Sequence, residues 1–352
     1  MTSLADLGGW PSVLGPLMAR RDLSAAQAHA AMVEILAGTA TPAQLTGFVV
    51  ALRMKGETVE ELSGLLDAML EAAELVPVAP DLHDRLVDVV GTGGDRSHSI
   101  NVSTISMLVV AGAGVPVCKH GNRAASSRCG AADLLGELGV AVELGPIDVA
   151  RCLIQAGLGF CYAPRFHPAL RHAGSSRREL GVPTAFNLLG PMANPARVKR
   201  QLIGLADPAM AERMHGVLAA KGSVHVLVVH GRDGLDELTT TTVSQAWELR
   251  DGAVRSLEID PASFGLRRAT AEQLVGGAPA LNAELARRVL AGDRGPHRDI
   301  VVLNAGAGLY VGGATDSIAD GIELAAAVLD DGRAAAALER LVVASNAVAE
   351  VS

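Results

Sequence analysis

The apolar run Leu86-Val87-Asp88-Val89-Val90 passes directly into Gly91-Thr92-Gly93-Gly94-Asp95, and no other junction constrains the chain as tightly. A near-continuous run of Val and Leu is the pattern of a strand covered on both faces, as in a parallel sheet. Glycines at its end let the backbone bend sharply and bring N–H groups around an anion. Taken alone, Gly91 to Gly94 also reads as an ordinary tight turn. Two further donor-rich clusters follow closely, Asn101-Val102-Ser103-Thr104 and Lys119-His120-Gly121-Asn122-Arg123. Together the three read as a phosphate cradle.

Upstream of this cradle the signals are helical. Ser24 with Gln27, Thr41 with Gln44 and Thr58 with Glu61 each give the S/T-x-x-E/Q pattern that satisfies orphan N–H groups at a helix start, and Pro42 presets a first turn. Gly38, Gly56 and Pro77 supply the stops. Leu45, Phe48, Val49 and Leu52 then share one helix face. After Pro80 the pattern changes to short β-branched runs alternating with Ala- and Leu-rich segments. Leu86 to Val90, Val115 to Cys118, Val224 to His230 and Ile300 to Leu303 read as buried strands, and Ala131 to Leu138, Ala209 to Lys221, Ala280 to Ala291 and Ile318 to Val348 as helices over them. The stretch from Arg165 to Pro183, rich in Arg, His, Ser and Pro, fits neither type.

The expectation is an α/β protein: a small helical N-terminal domain over residues 1–80 and a large α/β domain over 81–352, with a mainly parallel central sheet flanked by helices. Apolar residues make up 49% of the chain but aromatics only 3%, so Ala, Val and Leu must fill the interior. A formal charge of -8 argues against a nucleic-acid partner, which is held chiefly by excess Lys and Arg. Cys118, Cys129, Cys152 and Cys161 have no C-x-x-C spacing and read as buried, reduced thiols. Met1 to Arg21 lacks the basic start and unbroken apolar stretch of a signal peptide, and no apolar run reaches spanning length, so a soluble cytoplasmic protein without a membrane partner is expected.

With Arg177 to Gly181, Phe186-Asn187-Leu188-Leu189-Gly190-Pro191 and Asp233-Gly234-Leu235-Asp236-Glu237, the three cradle clusters form an ordered set spanning nearly the whole chain. In that order and spacing they resemble the anthranilate phosphoribosyltransferase family of tryptophan biosynthesis. The resemblance implies transfer of 5-phosphoribose from phosphoribosyl pyrophosphate to anthranilate, with Mg2+ as cofactor, in a homodimer formed through the small helical domain. It also implies that a segment around 166–185 returns to that domain, leaving a substrate cleft between the two.

Residue by residue, the resemblance assigns phosphoribosyl pyrophosphate to Gly91, Gly94, Asp95, Ser99, Asn101, Val102, Ser103, Thr104, Lys119, His120, Gly121, Asn122, Arg123, Ala124, Ala125, Ser126, Ser127 and Ala131. Anthranilate falls to Gly91, Asn122 and Arg177, and the metal to Ser103, Asp236 and Glu237. The chemistry agrees: hard oxygens suit Mg2+, Lys119 offers a point charge, and a guanidinium at 177 can pair bidentately with a carboxylate. Asp236 and Glu237 also read as a solvated acidic turn, Arg123 and Arg128 as surface charges, and Arg178 as structural or solvent-facing. His120 and His167 read either as satisfied, non-catalytic histidines or as acceptor contacts, and no residue is assigned as a general acid or base. Arg96 departs from the family pattern by standing where glycine is common, so the loop either lacks a positive φ there or gains a cation. Ala131 departs too, standing where a serine can contact phosphate. Two rival readings are a pyrimidine nucleoside phosphorylase-like enzyme and a non-catalytic relative that binds nucleic acid.

Overall fold

In the computed structural model, which describes residues 2–124 and 127–350, each of the three capping boxes starts a helix. After α1 (Pro11–Met18), helices α2 (Ala25–Ala37), α3 (Pro42–Lys55) and α4 (Val59–Glu71) begin at Ser24, Thr41 and Thr58. Each hydroxyl accepts from the N–H three residues on, at 3.2 Å, and the partner Gln or Glu accepts from the cap in return. Gly38 closes α2 in the left-handed region at φ 75°.

Helix α5 (Pro80–His83) leads into β1 (Val87–Gly91), α6 (Val102–Gly112), β2 (Val117–Gly121), α7 (Ala131–Glu137), α8 (Pro146–Ala156) and β3 (Leu158–Tyr162). Next come α9 (Ala163–Phe166), α10 (Arg171–Leu180), α11 (Ala185–Met192), β4 (Arg200–Gly204), α12 (Ala211–Ala220) and β5 (His225–Gly231). A hairpin of β6 (Ser244–Arg250) and β7 (Ala253–Ile259) follows, then α13 (Pro279–Leu290), α14 (Pro296–Val311), α15 (Ile318–Asp330) and α16 (Arg333–Ala349). The seven strands form one sheet in the order β3-β2-β1-β4-β5-β6-β7, parallel from β3 to β5 and antiparallel at β6 and β7.

Alternation along the strands divides two cores. Val89, Leu202 and Leu227 face a core built with α6, α14 and α16, whereas Val90, Ile203, Val226 and Val228 belong to a second core that α11 and α12 share with the N-terminal helices. Helix α10 packs on α2 and α3, and its Ala173 lies in the second core.

Three segments differ from the sequence expectation. Ile300 to Leu303 is not a strand but part of α14, whose residues from Ile300 to Val311 are all buried. A helix enclosed on every side shows the same unbroken apolar run as a buried strand, so periodicity could not separate them. Its close neighbour is α15: a Cβ on Gly321 would sit 2.2 Å from the Gly306 carbonyl oxygen, so this crossing admits only glycine. The Ile318 to Val348 helix is two helices, broken at Gly332 with φ 80°. Arg165 to Pro183 is largely helical, in α9 and α10, because tertiary packing overrides its polar composition.

Candidate active site

Because β1, β2, β4 and β5 run parallel, their last residues, Gly91, Gly121, Gly204 and Gly231, fall along one edge of the sheet. All four are crowded, two of them by Asp236. A Cβ on Gly204 would lie 1.6 Å from the Asp236 carbonyl oxygen, and one on Gly91 would lie 2.5 Å from Asp236 Oδ2. The turn after β5 therefore folds back over the ends of β1 and β4 and delivers Asp236 and Glu237 to the glycine loop.

That loop is held from both sides. Thr92 N–H donates to the Gly204 carbonyl at 2.9 Å, and Gly93 N–H to Asp236 Oδ2 at 2.6 Å. Gly93 and Gly94 adopt φ of 69° and 87°. Arg96 also sits in the left-handed region, at φ 61°, with its side chain exposed at the rim of the cavity. The substitution thus keeps the positive φ and adds a cation as well.

Around these loops lies a cavity of about 360 Å³. From the first loop come Gly91, Gly94, Asp95, Ser99 and Asn101, and from the start of α6 come Val102, Ser103 and Thr104. Strand β2 and the loop after it bring Lys119, His120, Gly121, Asn122, Arg123, Ala124 and Ser127, and Ala131 opens α7. Asp236 and Glu237 close the opposite wall. Ala125 and Ser126 lie outside the described residues. A slightly larger cavity, about 380 Å³, runs between α4 and the segment from Arg197 to Lys199, but its Lys199 and Lys221 are already paired with Asp84 and Asp67. Charge gives it no preference for a ligand.

The electrostatics of the first cavity are unusual. Asp236 and Glu237 are only 9% and 7% exposed, which contradicts the solvated-turn reading. Burial raises the Asp236 carboxyl well above its ordinary value, aided by Asp95 and Glu237, and raises Glu237 to about 7. Lys119, 2% exposed, is the buried cation beneath them; its ammonium donates to the Val89 carbonyl and, at 3.2 Å, to Ser103 Oγ. Ser103 N–H in turn donates to Glu237 Oε1 at 3.1 Å. The carboxylates of Asp236 and Glu237 and the Ser103 hydroxyl, against one ammonium, offer the hard oxygens that a divalent cation takes. Among the described residues no three His, Cys, Asp or Glu side chains converge as a metal site.

Four other residues differ in how they meet the cavity. Arg123 is exposed and turned to Asp133 and Glu143, at 3.2 and 3.1 Å, so its guanidinium is engaged at the rim. Arg177, on α10, does not line the cavity; its guanidinium lies 4.8 Å from the centroid of Phe186, next to Asn187, which does. It is half-buried, has no ionic or hydrogen-bonding partner among the described residues, and burial pulls its pKa down. His120 Nδ1–H donates to the Gly190 carbonyl at 3.0 Å, while its buried Nε2 has no partner, and burial takes its pKa to about 3. His167 pairs with the Ala193 carbonyl at 3.0 Å and does not line the cavity.

The glycosyl transferase family, helical bundle domain, matches residues 11–73, and the glycosyl transferase family, a/b domain, matches residues 83–335. An anthranilate phosphoribosyltransferase of Rhodococcus jostii is 52% identical over 337 residues, covering 94% of this chain and 92% of its own. One of a Nocardioides species is 53% identical over 341 residues, covering 96% and 98%. The chain belongs to the anthranilate phosphoribosyltransferase family. Among solved structures, the Thermus thermophilus enzyme superposes with a TM-score of 0.88 at 41% identity, covering 95% of this chain and 99% of its own. The Saccharomyces cerevisiae enzyme, solved with phosphoribosyl pyrophosphate and Mg, gives 0.88 at 26% identity, covering 96% and 98%.

Within this anthranilate phosphoribosyltransferase fold, several residues at the site carry no motif of their own. Asp133, in the first turn of α7, accepts from the N–H groups of Ala124 and Gly130, both at 2.9 Å, and so closes the second loop. Its signal was an acid in a helix first turn, common at any N-terminus. Asp88, fully buried, accepts from His120 N–H at 3.3 Å and from Asn194 Nδ2 at 2.8 Å, anchoring β2 from below. A lone acid inside an apolar strand was its clue.

Proposed function

We propose that the chain transfers the 5-phosphoribosyl group of phosphoribosyl pyrophosphate to the amine of anthranilate, giving N-(5-phosphoribosyl)anthranilate and pyrophosphate, a step in tryptophan biosynthesis. The observation that carries this reading is the buried Asp236 and Glu237 pair held against a glycine loop. Two carboxylates this desolvated are costly to keep ionised together unless a cation joins them, and the adjoining N–H groups and hydroxyls suit a diphosphate.

Asp236, Glu237 and Ser103 would hold Mg2+, which when bound supplies positive charge to the departing diphosphate. Gly91, Gly94, Asp95, Ser99 and Asn101 to Thr104 contact its oxygens, with Lys119 contributing charge from beneath. The second loop, from His120 to Ser127 with Ala131, covers the phosphoribosyl part. The unpaired guanidinium of Arg177 takes the anthranilate carboxylate, while Asn122 and the Gly91 backbone orient the amine toward ribose C1. No side chain serves as general base, since an aromatic amine is already unprotonated near neutrality and His120 is held neutral by burial.

We assign residues 1–80 with the segment 166–185 to the small domain and 81–352 to the large one; the packing of α10 on α2 and α3 supports this. A homodimer through the small domain is supported by the exposed Met18 and Met54. Four free, buried cysteines support a cytoplasmic setting, and among the described residues no helix is long and apolar enough to cross a membrane.

The test is direct. Protein, Mg2+, phosphoribosyl pyrophosphate and anthranilate are incubated together, and anthranilate loss and pyrophosphate release are followed in parallel. One-to-one conversion that stops when either substrate or the metal is omitted supports the reading. Absence of turnover across pH and metal concentration overturns it, and phosphate-driven nucleoside cleavage would favour the phosphorylase.

A further inference from the structure

Asn282 lies in the first turn of α13, 2% exposed, and does not line the cavity. Both ends of its amide are used. Oδ1 accepts from the Gly277 N–H at 2.6 Å, and Nδ2 donates to Asn101 Oδ1 at 2.8 Å. Asn101, on the first phosphate loop, donates its own Nδ2 to the Cys129 carbonyl at 2.9 Å, in the second loop. Two amides in series therefore link three chain segments far apart in sequence.

The third segment is itself a strut. Leu274 to Gly277 runs beside the first loop: Ser99 and Val275 form an isolated antiparallel bridge, Ile100 N–H donates to the Leu274 carbonyl at 3.0 Å, and Gly276 N–H to the His98 carbonyl at 2.8 Å. A Cβ on Gly276 would stand 2.5 Å from Asn282 Oδ1, so the amide lies directly against this backbone. One buried side chain thus fixes the strut and, through Asn101, the spacing between the two loops.

We propose that Asn282 is a positioning residue that sets the separation of the two phosphate-binding loops through the Asn282-Asn101-Cys129 relay, and so determines affinity for the diphosphate of the donor substrate. The proposal rests on the transferase reading. An Asn amide can make up to four hydrogen bonds, and with two spent on the relay the remaining N–H and lone pair of Asn101 are held in a fixed direction. Without Asn282 the amide of Asn101 can rotate, and the loops must be ordered by the ligand itself, which weakens binding.

Asn282→Asp isolates the link, because a carboxylate still accepts from Gly277 N–H but cannot donate to Asn101 Oδ1. Gly276→Ala reaches the same amide by displacing it. For both variants, binding of inorganic pyrophosphate with Mg2+ is measured by calorimetry, alongside the KM for each substrate and the Tm. The expected result is pyrophosphate binding and donor KM each weaker by about tenfold, the worth of roughly one buried hydrogen bond, with the anthranilate KM unchanged and only a modest fall in Tm. Wild-type pyrophosphate affinity in both variants overturns the proposal, as does equal weakening of both substrates with a large fall in Tm, which would mark Asn282 as merely structural. Wild-type protein that turns over no substrate would instead sink the transferase reading on which the proposal stands.

Discussion

The backbone N–H of Gly93 donates to the Asp236 carboxylate at 2.6 Å, joining residues 143 positions apart in the chain. The acid that would bind the metal therefore also latches the loop that would bind the diphosphate. Replacing Asp236 by Asn and Glu237 by Gln keeps an acceptor for Gly93 and an oxygen for Ser103 while removing both charges. The double variant should keep its circular dichroism spectrum and lose Mg2+-dependent turnover by roughly a hundredfold or more. Wild-type metal titration curves would remove the pair from the site.

Gly204 tests the same junction from the other strand. Because a Cβ there would meet the Asp236 carbonyl at 1.6 Å, Gly204→Ala must push the acidic turn away from the sheet edge. Overpacking of this kind costs about 1 to 3 kcal/mol, read as a lower urea midpoint, and Mg2+ dependence should weaken along with it. Gly222→Ala, at a glycine with no atoms near its missing Cβ but a φ of 76°, is a control that should cost stability without touching the metal response.

Arg177 separates acceptor from donor recognition. Its guanidinium lies against the Phe186 ring with no ion-pair partner among the described residues, so Arg177→Ala should leave donor binding nearly intact and raise the anthranilate KM by one to two decades, roughly 1.5 to 3 kcal/mol. Lysine should recover only part of this, lacking the planar fork. Separate titrations of each substrate decide it; equal loss for both would count against the assignment.

Asp88 gives a pH prediction. Burial raises its carboxyl to about 6 from 3.8, partly offset by Lys119 and by hydrogen bonds from Asn194, His120 and Val89. The folded protein is then the better proton binder between those values, so this group's stabilising contribution is present below pH 3.8 and lost as pH rises toward 6. Asp88→Asn has no proton to lose. Its stability relative to wild type should climb across that window by up to about 3 kcal/mol and stay flat above it, whatever constant offset the new amide brings. Urea melts of both proteins from acid to neutral pH provide the check, and parallel curves would show that Asp88 does not titrate in this range.

What could be read from the chain depended on how local each signal was. The capping boxes at Ser24, Thr41 and Thr58 complete themselves within one turn, so their helices start where the letters say. The junction at Gly91 was equally local. By contrast, Ile300 to Leu303 lost its helical stripe because α14 is buried on all sides, and β4 hid behind Arg200 and Gln201. The β6-β7 hairpin turns on Asp251 and Gly252, at φ 52° and 78°, a local signal but one attached to strands too polar to read as core. Asn282 acts through Asn101, 181 positions away, and nothing near it in sequence announces that partner. The burial of Lys119 was equally unreadable, since a lysine beside a glycine loop is as readily a solvent-facing ligand.

The alternation of β1, with Val89 turned to one core and Val90 to the other, has a thermodynamic consequence. The sheet is a common wall, so loosening the N-terminal helices would open the core that Val90, Ile203, Val226 and Val228 share with α11 and α12, along the very strands whose ends carry the loops. The two halves of the chain cannot melt separately: heat should take them together in one cooperative transition, and a ligand held by the loops should protect the distant helices from proteolysis as strongly as it protects the loops themselves.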